Sequence, residues 1–158
     1  MNTARAAVAG LLGTAAMTAL LLIEPSIGLP KIAMGQVLSS SLGLTSAHLS
    51  IGPAVGWVLH FVIGMVLALI YAAAFDSRLA GGPVLRGVLY GILVFVVAQV
   101  VFMPVVGGGF FSRGDPELLA GSLLGHLVYG AVVGWTYGGV GESRVHPGEG
   151  RVAPGELQ

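Results

Sequence analysis

Cysteine is absent from the 158 residues, which excludes disulfides, thiolate metal sites, covalent c-type haem attachment and thiol nucleophiles together. Charge is scarce as well. Only 9% of side chains are Asp, Glu, Lys or Arg, seven of each sign, where soluble domains carry about 25%. The formal net charge of zero offers no basic surface to nucleic acid and no acidic tail. Catalytic signatures are missing: there is no Ser/His/Asp set, HExxH, phosphate-cradling GxxxxGK or pair of buried carboxylates, so the chain reads as a non-enzyme.

What remains is apolar. Hydrophobic residues make up 55% of the chain and the mean hydropathy is +0.91, so a lipid bilayer is the expected solvent. The 26 glycines lack the Gly-X-Y period of collagen and suit close helix packing in lipid, where small residues let backbones approach.

Four apolar stretches, about 6–24, 54–75, 84–103 and 117–139, predict four transmembrane helices in an up-down bundle, an all-α polytopic fold. The first follows only Arg5, so a signal peptide competes with it. Its length and the mid-run position of Thr14 and Thr18 favour an uncleaved helix that ends at Glu24 and Pro25, with Glu24 a solvated helix end. Between the first two spans, Ile32 to Leu42 predicts a short interfacial helix, and Thr45 to His48 a loop. Pro53 suits the first turn of the second span, with Trp57 and Tyr71 near opposite interfaces. Gln99 is the one strongly polar side chain of the third, which ends at Pro104. Asp115 and Pro116 form a cap and first turn for the fourth. Residues 1–140 thus make one domain, and 141–158 read as a disordered tail.

Four spans put both termini on one side. That side holds Arg5, Arg78, Arg86, Arg144 and Arg151 against Lys31 and Arg113 on the other, so the positive-inside rule places both termini in the cytoplasm.

The second and fourth spans share a pattern at an offset of 66: His60, Gly64 and Tyr71 recur as His126, Gly130 and Tyr137, within six identities over 22 positions. On a helix, positions i, i+4 and i+11 share a face roughly 40° wide. A weaker echo, Pro25 and Gly28 against Pro104 and Gly107, links the first and third. The pattern predicts a two-helix hairpin used twice, with the second and fourth helices diagonal and His60 facing His126 near the centre.

The segments GLPK at 28–31, HFVIG at 60–64, YAAAF at 71–75, RGVLYG at 86–91, MPVVGGGFF at 103–111 and HLVYG at 126–130 resemble a family of small bacterial four-helix membrane proteins known only as a domain of unknown function. The resemblance covers about residues 5–140. It implies this fold in a bacterial inner membrane and no established activity.

An ionisable side chain in the bilayer marks a functional site by default. One reading is haem b, with His60 and His126 axial to the iron, Gly56 and Gly64 flanking His60 and Ser122 and Gly130 flanking His126 to make room, Tyr71 and Tyr137 on the same faces, and Lys31 and Arg113 meeting propionates. Another is a metal ion, copper with Met103 as thioether ligand or zinc with Glu24 as carboxylate. The plain alternative has the histidines bonding across the bundle to Gln99, Tyr71 or a backbone carbonyl, in an accessory subunit of a larger membrane complex. A small transporter-like homodimer, with the histidines handling protons, is the remaining class.

Overall fold

The computed structural model describes residues 1–41 and 52–139; the expected loop around His48 and the tail from 141, with His146, lie outside them. The described residues are helices joined by short connections, with no strand. Four helices are long and apolar enough to cross a membrane: α1 (Thr3–Ile27), α3 (Gly52–Phe75), α4 (Pro83–Val105) and α5 (Pro116–Gly139), with a short α2 (Met34–Ser41) before the second. The chain is a multi-pass membrane protein. The start of α1, the end of α5 at Gly139 and the Asp76–Gly82 turn occupy one end of the bundle, the terminal end; α2 and the connection from Val106 to Asp115 occupy the other, the loop end.

Local chemistry explains the helix ends. The Asn2 side chain accepts the Arg5 N–H at 3.0 Å to cap α1, and Asp115 Oδ1 accepts from the backbone of Glu117 and Leu118 at 3.0 and 3.1 Å to cap α5. The α-helical part of α1 ends at Ile23 with Glu24 as its C-cap, as expected beside Pro25; Glu24–Ile27 add a 3-10 turn whose first positions ask no N–H of proline, and the chain turns at Gly28, φ +89°. Helices α3, α4 and α5 each contain a π-helical turn near the C-terminal end, at Tyr71–Phe75, Ala98–Phe102 and Trp135–Gly139, carrying buried Tyr71, Gln99 and Tyr137.

Glycine closes three of the four seams between neighbouring helices. A Cβ on Gly87 would strike the Gly130 carbonyl, and one on Gly130 the Gly87 carbonyl, so α4 and α5 touch backbone to backbone along Gly87, Gly91, Gly130 and Gly134. Helix α1 meets α3 where Gly10 faces Gly64 and Met65. It meets α5 where Gly13 faces Tyr129 and Gly125 faces Met17. The fourth seam, α3 to α4, is held near its terminal end by rings: Tyr90 lies 5.2 Å from Tyr71 and 5.0 Å from Phe75, and its hydroxyl donates to the Leu67 carbonyl at 2.8 Å.

The short helix expected to lie on the interface turns inward. Gly35 sits against the Pro53 carbonyl and Trp57, a Cβ on Gly56 would strike the Gly35 carbonyl, and Leu38 and Ser39 are buried. Its apolar side therefore packs on α3 rather than on lipid.

Candidate functional site

Above the Tyr90 bridge, α3 and α4 part around a cavity of about 470 Å³, bounded also by α1, α5 and α2. That volume lies within the range of small-molecule pockets. Most of the lining is aliphatic, from Leu21, Ile32, Val37, Leu38, Ile63, Leu67, Val94 and Val97 among others. Both repeated histidines, His60 and His126, line it.

The two imidazoles are held differently. His126 Nδ1 lies 2.6 Å from the Ser122 carbonyl, which can only accept, so Nδ1 carries the proton and the neutral ring leaves its lone pair on Nε2. Phe95 meets that ring edge-on at 5.9 Å. His60 stands between Trp57 and Phe61, whose rings lie 5.8 and 5.9 Å away, and its Nε2 is fully covered with no hydrogen-bond partner among the described residues. The carbonyl at His126 belongs to its own helix, and among the described residues His60 has no partner, so neither histidine makes the bond across the bundle expected of a packing residue.

Gln99 binds neither histidine. Its Oε1 accepts from Ser112 Oγ at 2.8 Å and its Nε2 donates to Ser122 Oγ at 3.0 Å, an arrangement that ties the loop before α5 to the cavity wall. Ser112 reaches it from a left-handed turn in which Phe111, Ser112 and Arg113 have φ of 46°, 50° and 57°. Left-handed conformations cost about 1–2 kcal/mol for each such non-glycine residue, so the surrounding contacts hold this turn against its local preference. Thr14 and Tyr129 complete the polar lining, their hydroxyls already donated to the Gly10 and Gly64 carbonyls, each at 2.7 Å.

Of the other candidates, Gly64, Met103 and Lys31 line the cavity with the histidines. Gly130 does not, being spent on the α4–α5 seam. Tyr71 and Tyr137 meet each other instead, ring centroids 6.2 Å apart, in a buried cluster at the terminal end; they are core residues and not interfacial anchors. Tyr71 donates to Asp76 at 3.2 Å, and Arg5 stacks over the Tyr137 ring at 4.7 Å. Arg113 is exposed and donates to the Gly107 carbonyl at 3.1 Å, away from the cavity lining.

Glu24 corrects the expectation of a solvated helix end. It is 0% exposed, neither carboxyl oxygen has a hydrogen-bond partner among the described residues, and it faces Gly121, where a Cβ would come within 3.0 Å of it. It does not line the cavity, so no carboxylate joins the imidazoles. Among the described residues, no group of three or more His, Asp or Glu side chains gathers to hold a metal. Three thioethers, Met17, Met34 and Met103, do line the same space as His60 and His126.

Thr14, Tyr129, Met17 and Met34 are wall residues that sequence reasoning missed. Tyr129 was in view inside HLVYG; the others sit in apolar runs that carry no signal of which face turns inward. Residues 1–147 match a family of unknown function (DUF6789), and the chain belongs to that family. No curated protein and no solved structure matches it.

Proposed function

We propose that this member of the family is a non-catalytic ligand-binding protein of a bacterial cytoplasmic membrane, with both termini in the cytoplasm, whose bundle core takes a compact, largely apolar molecule. One observation carries the reading: two histidines from equivalent places in a repeated sequence pattern line one cavity in the middle of an apolar bundle. A duplicated hairpin accounts for that placement, since diagonal helices of a fourfold bundle turn like faces toward each other. Imidazoles are costly among lipid-like side chains, and a ligand with polar atoms offsets that cost.

A resident cofactor is the second reading, favoured by the His126 lone pair and the thioethers around it. Imidazole with thioether suits Cu(I), with His60, His126 and Met103 as the donors; zinc fits poorly because Glu24 is turned toward Gly121. Bis-imidazole haem b fits less well than the sequence pattern implies, because the covered Nε2 of His60 would have to rotate out from between Trp57 and Phe61.

Absorption spectra of the purified chain, oxidised and dithionite-reduced, together with metal analysis, sort these readings. The ligand reading predicts neither a Soret band nor stoichiometric metal, with a small organic molecule extracted in solvent and identified by mass spectrometry. That molecule is lost from His60→Ala and His126→Ala. A Soret band, or copper at one per chain, lost in the same variants, replaces the reading with the cofactor one. A chain that carries neither ligand nor cofactor, and binds no apolar probe, is better described as an accessory subunit or a transporter-like homodimer.

A further inference from the structure

The pattern of filled and unfilled seams says how the cavity is reached. Glycine contacts close α1 against α3, α1 against α5 and α4 against α5, whereas α3 and α4 are bridged at Tyr90 and separate beyond it. Val97 of α4 lines the cavity and is also 50% exposed, which places an opening beside it at this seam, while exposed Lys31 lines the loop-end side. The surface at Val97 belongs to a membrane-spanning helix, and what lies outside it is lipid. A molecule using this opening is dissolved in the bilayer before it binds.

The polar groups then narrow its chemistry. Thr14 and Tyr129 have donated their hydroxyl protons to backbone carbonyls, and Gln99 is engaged at both ends by Ser112 and Ser122. His126 differs. Its Nδ1 proton is committed to Ser122, and its Nε2 has no partner among the described residues. A lone pair at the wall of an apolar cavity asks for a hydrogen-bond donor. An ester, ether or quinone carbonyl cannot supply one; a hydroxyl can.

Resting on the ligand reading above, we propose that the cavity selects a bilayer-dissolved hydroxyl compound, an alkylated phenol or hydroquinone, entering between α3 and α4. Its hydroxyl donates to His126 Nε2, its ring fills the aliphatic space between Ile63 and Val94, and its tail trails past Val97 into lipid. No covalent or redox step is involved.

The test uses the full chain in lipid nanodiscs and a matched pair of probes, 4-decylphenol and its methyl ether, which share shape and an oxygen but differ in the donated proton. Binding is read as probe retained over empty nanodiscs. The phenol is expected to bind about tenfold more tightly than the ether, the worth of one hydrogen bond that would otherwise leave an acceptor unpaired. His126→Phe, which keeps a ring and removes the lone pair, is expected to bring the two probes to equal affinity, and Val97→Trp to weaken both by filling the opening. Equal binding of phenol and ether by the unaltered chain overturns the hydroxyl assignment while leaving the cavity reading intact. Discrimination that persists in His126→Phe also overturns it. Undiminished binding of both probes by Val97→Trp overturns the entry route, and failure of both probes to bind the unaltered chain overturns the ligand reading itself.

Discussion

The Tyr129 hydroxyl donates to the Gly64 carbonyl at 2.7 Å, joining the diagonal helices α5 and α3 through the one layer where α1 also touches both. That carbonyl belongs to a helical residue, so the tyrosine adds a second bond to an acceptor with two lone pairs. Tyr129→Phe removes the donor, keeps the ring and leaves the helix bond in place. The expected loss is about 0.5–1.5 kcal/mol, read as a lowered unfolding midpoint in detergent. No change would show that the bond is replaced at no cost.

Glycines of this chain divide into those that carry a seam and those that do not, and substitution separates them. Gly87→Ala puts a Cβ on the Gly130 carbonyl and is expected to force α4 from α5 and destabilise the bundle by about 1–3 kcal/mol. Gly82→Ala, where a Cβ meets nothing within 4 Å, is expected to leave the unfolding midpoint unchanged. Equal effects at the two positions would deny the seam its role.

Glu24 is buried with both oxygens unpartnered, an arrangement that costs the protein stability unless something outside the described contacts repays it. Glu24→Met keeps the length of the side chain and removes the polar atoms. Stability is expected to rise by about 1–3 kcal/mol. A fall would mean that the carboxyl has a bound partner in the folded protein.

Gln99 spans Ser112 and Ser122, so Gln99→Leu strands two hydroxyls at once while Ser112→Ala strands one end of the amide. The leucine variant is expected to lose more, about 1–3 kcal/mol, and to free the left-handed turn at Phe111–Arg113. Faster limited proteolysis near Arg113 reports that release.

Orientation is tested by fusion. With both termini in the cytoplasm, a green fluorescent protein joined after Gln158 glows and an alkaline phosphatase joined there is inactive. The opposite pair of results inverts the topology.

Much of the architecture was legible in the sequence because bilayer thickness and helix period leave few choices. The four spans fall within a few residues of their expected bounds, the Asp115 cap and the Pro53 start are as read, and RGVLYG packs through its glycines. His60 and His126 were placed together by arithmetic on a repeat. The inward turn of α2 was hidden because Gly35 and Gly56 signal a contact only after both partners are known. Glu24 misled for a related reason: a carboxylate beside proline reads as a helix end in water, and only tertiary packing reveals that it is buried against Gly121. Tyr71 and Tyr137 look like belt residues by their position along the helix, and the angle around the helix that buries them is fixed by neighbours that a periodic apolar run does not specify.

Backbone-to-backbone contact at the α1–α3 and α4–α5 seams, with close glycine packing at α1–α5, makes the spacing of three helix pairs a constant of the fold. The cavity's dimensions are then governed by the side chains of α3 and α4 that face the unsealed side, chiefly Ile63, Leu67, Val94 and Val97. Substitution at those four positions can resize the chamber for a different guest without renegotiating the scaffold. Relatives that keep the glycines and vary these residues would share one container fitted to different contents.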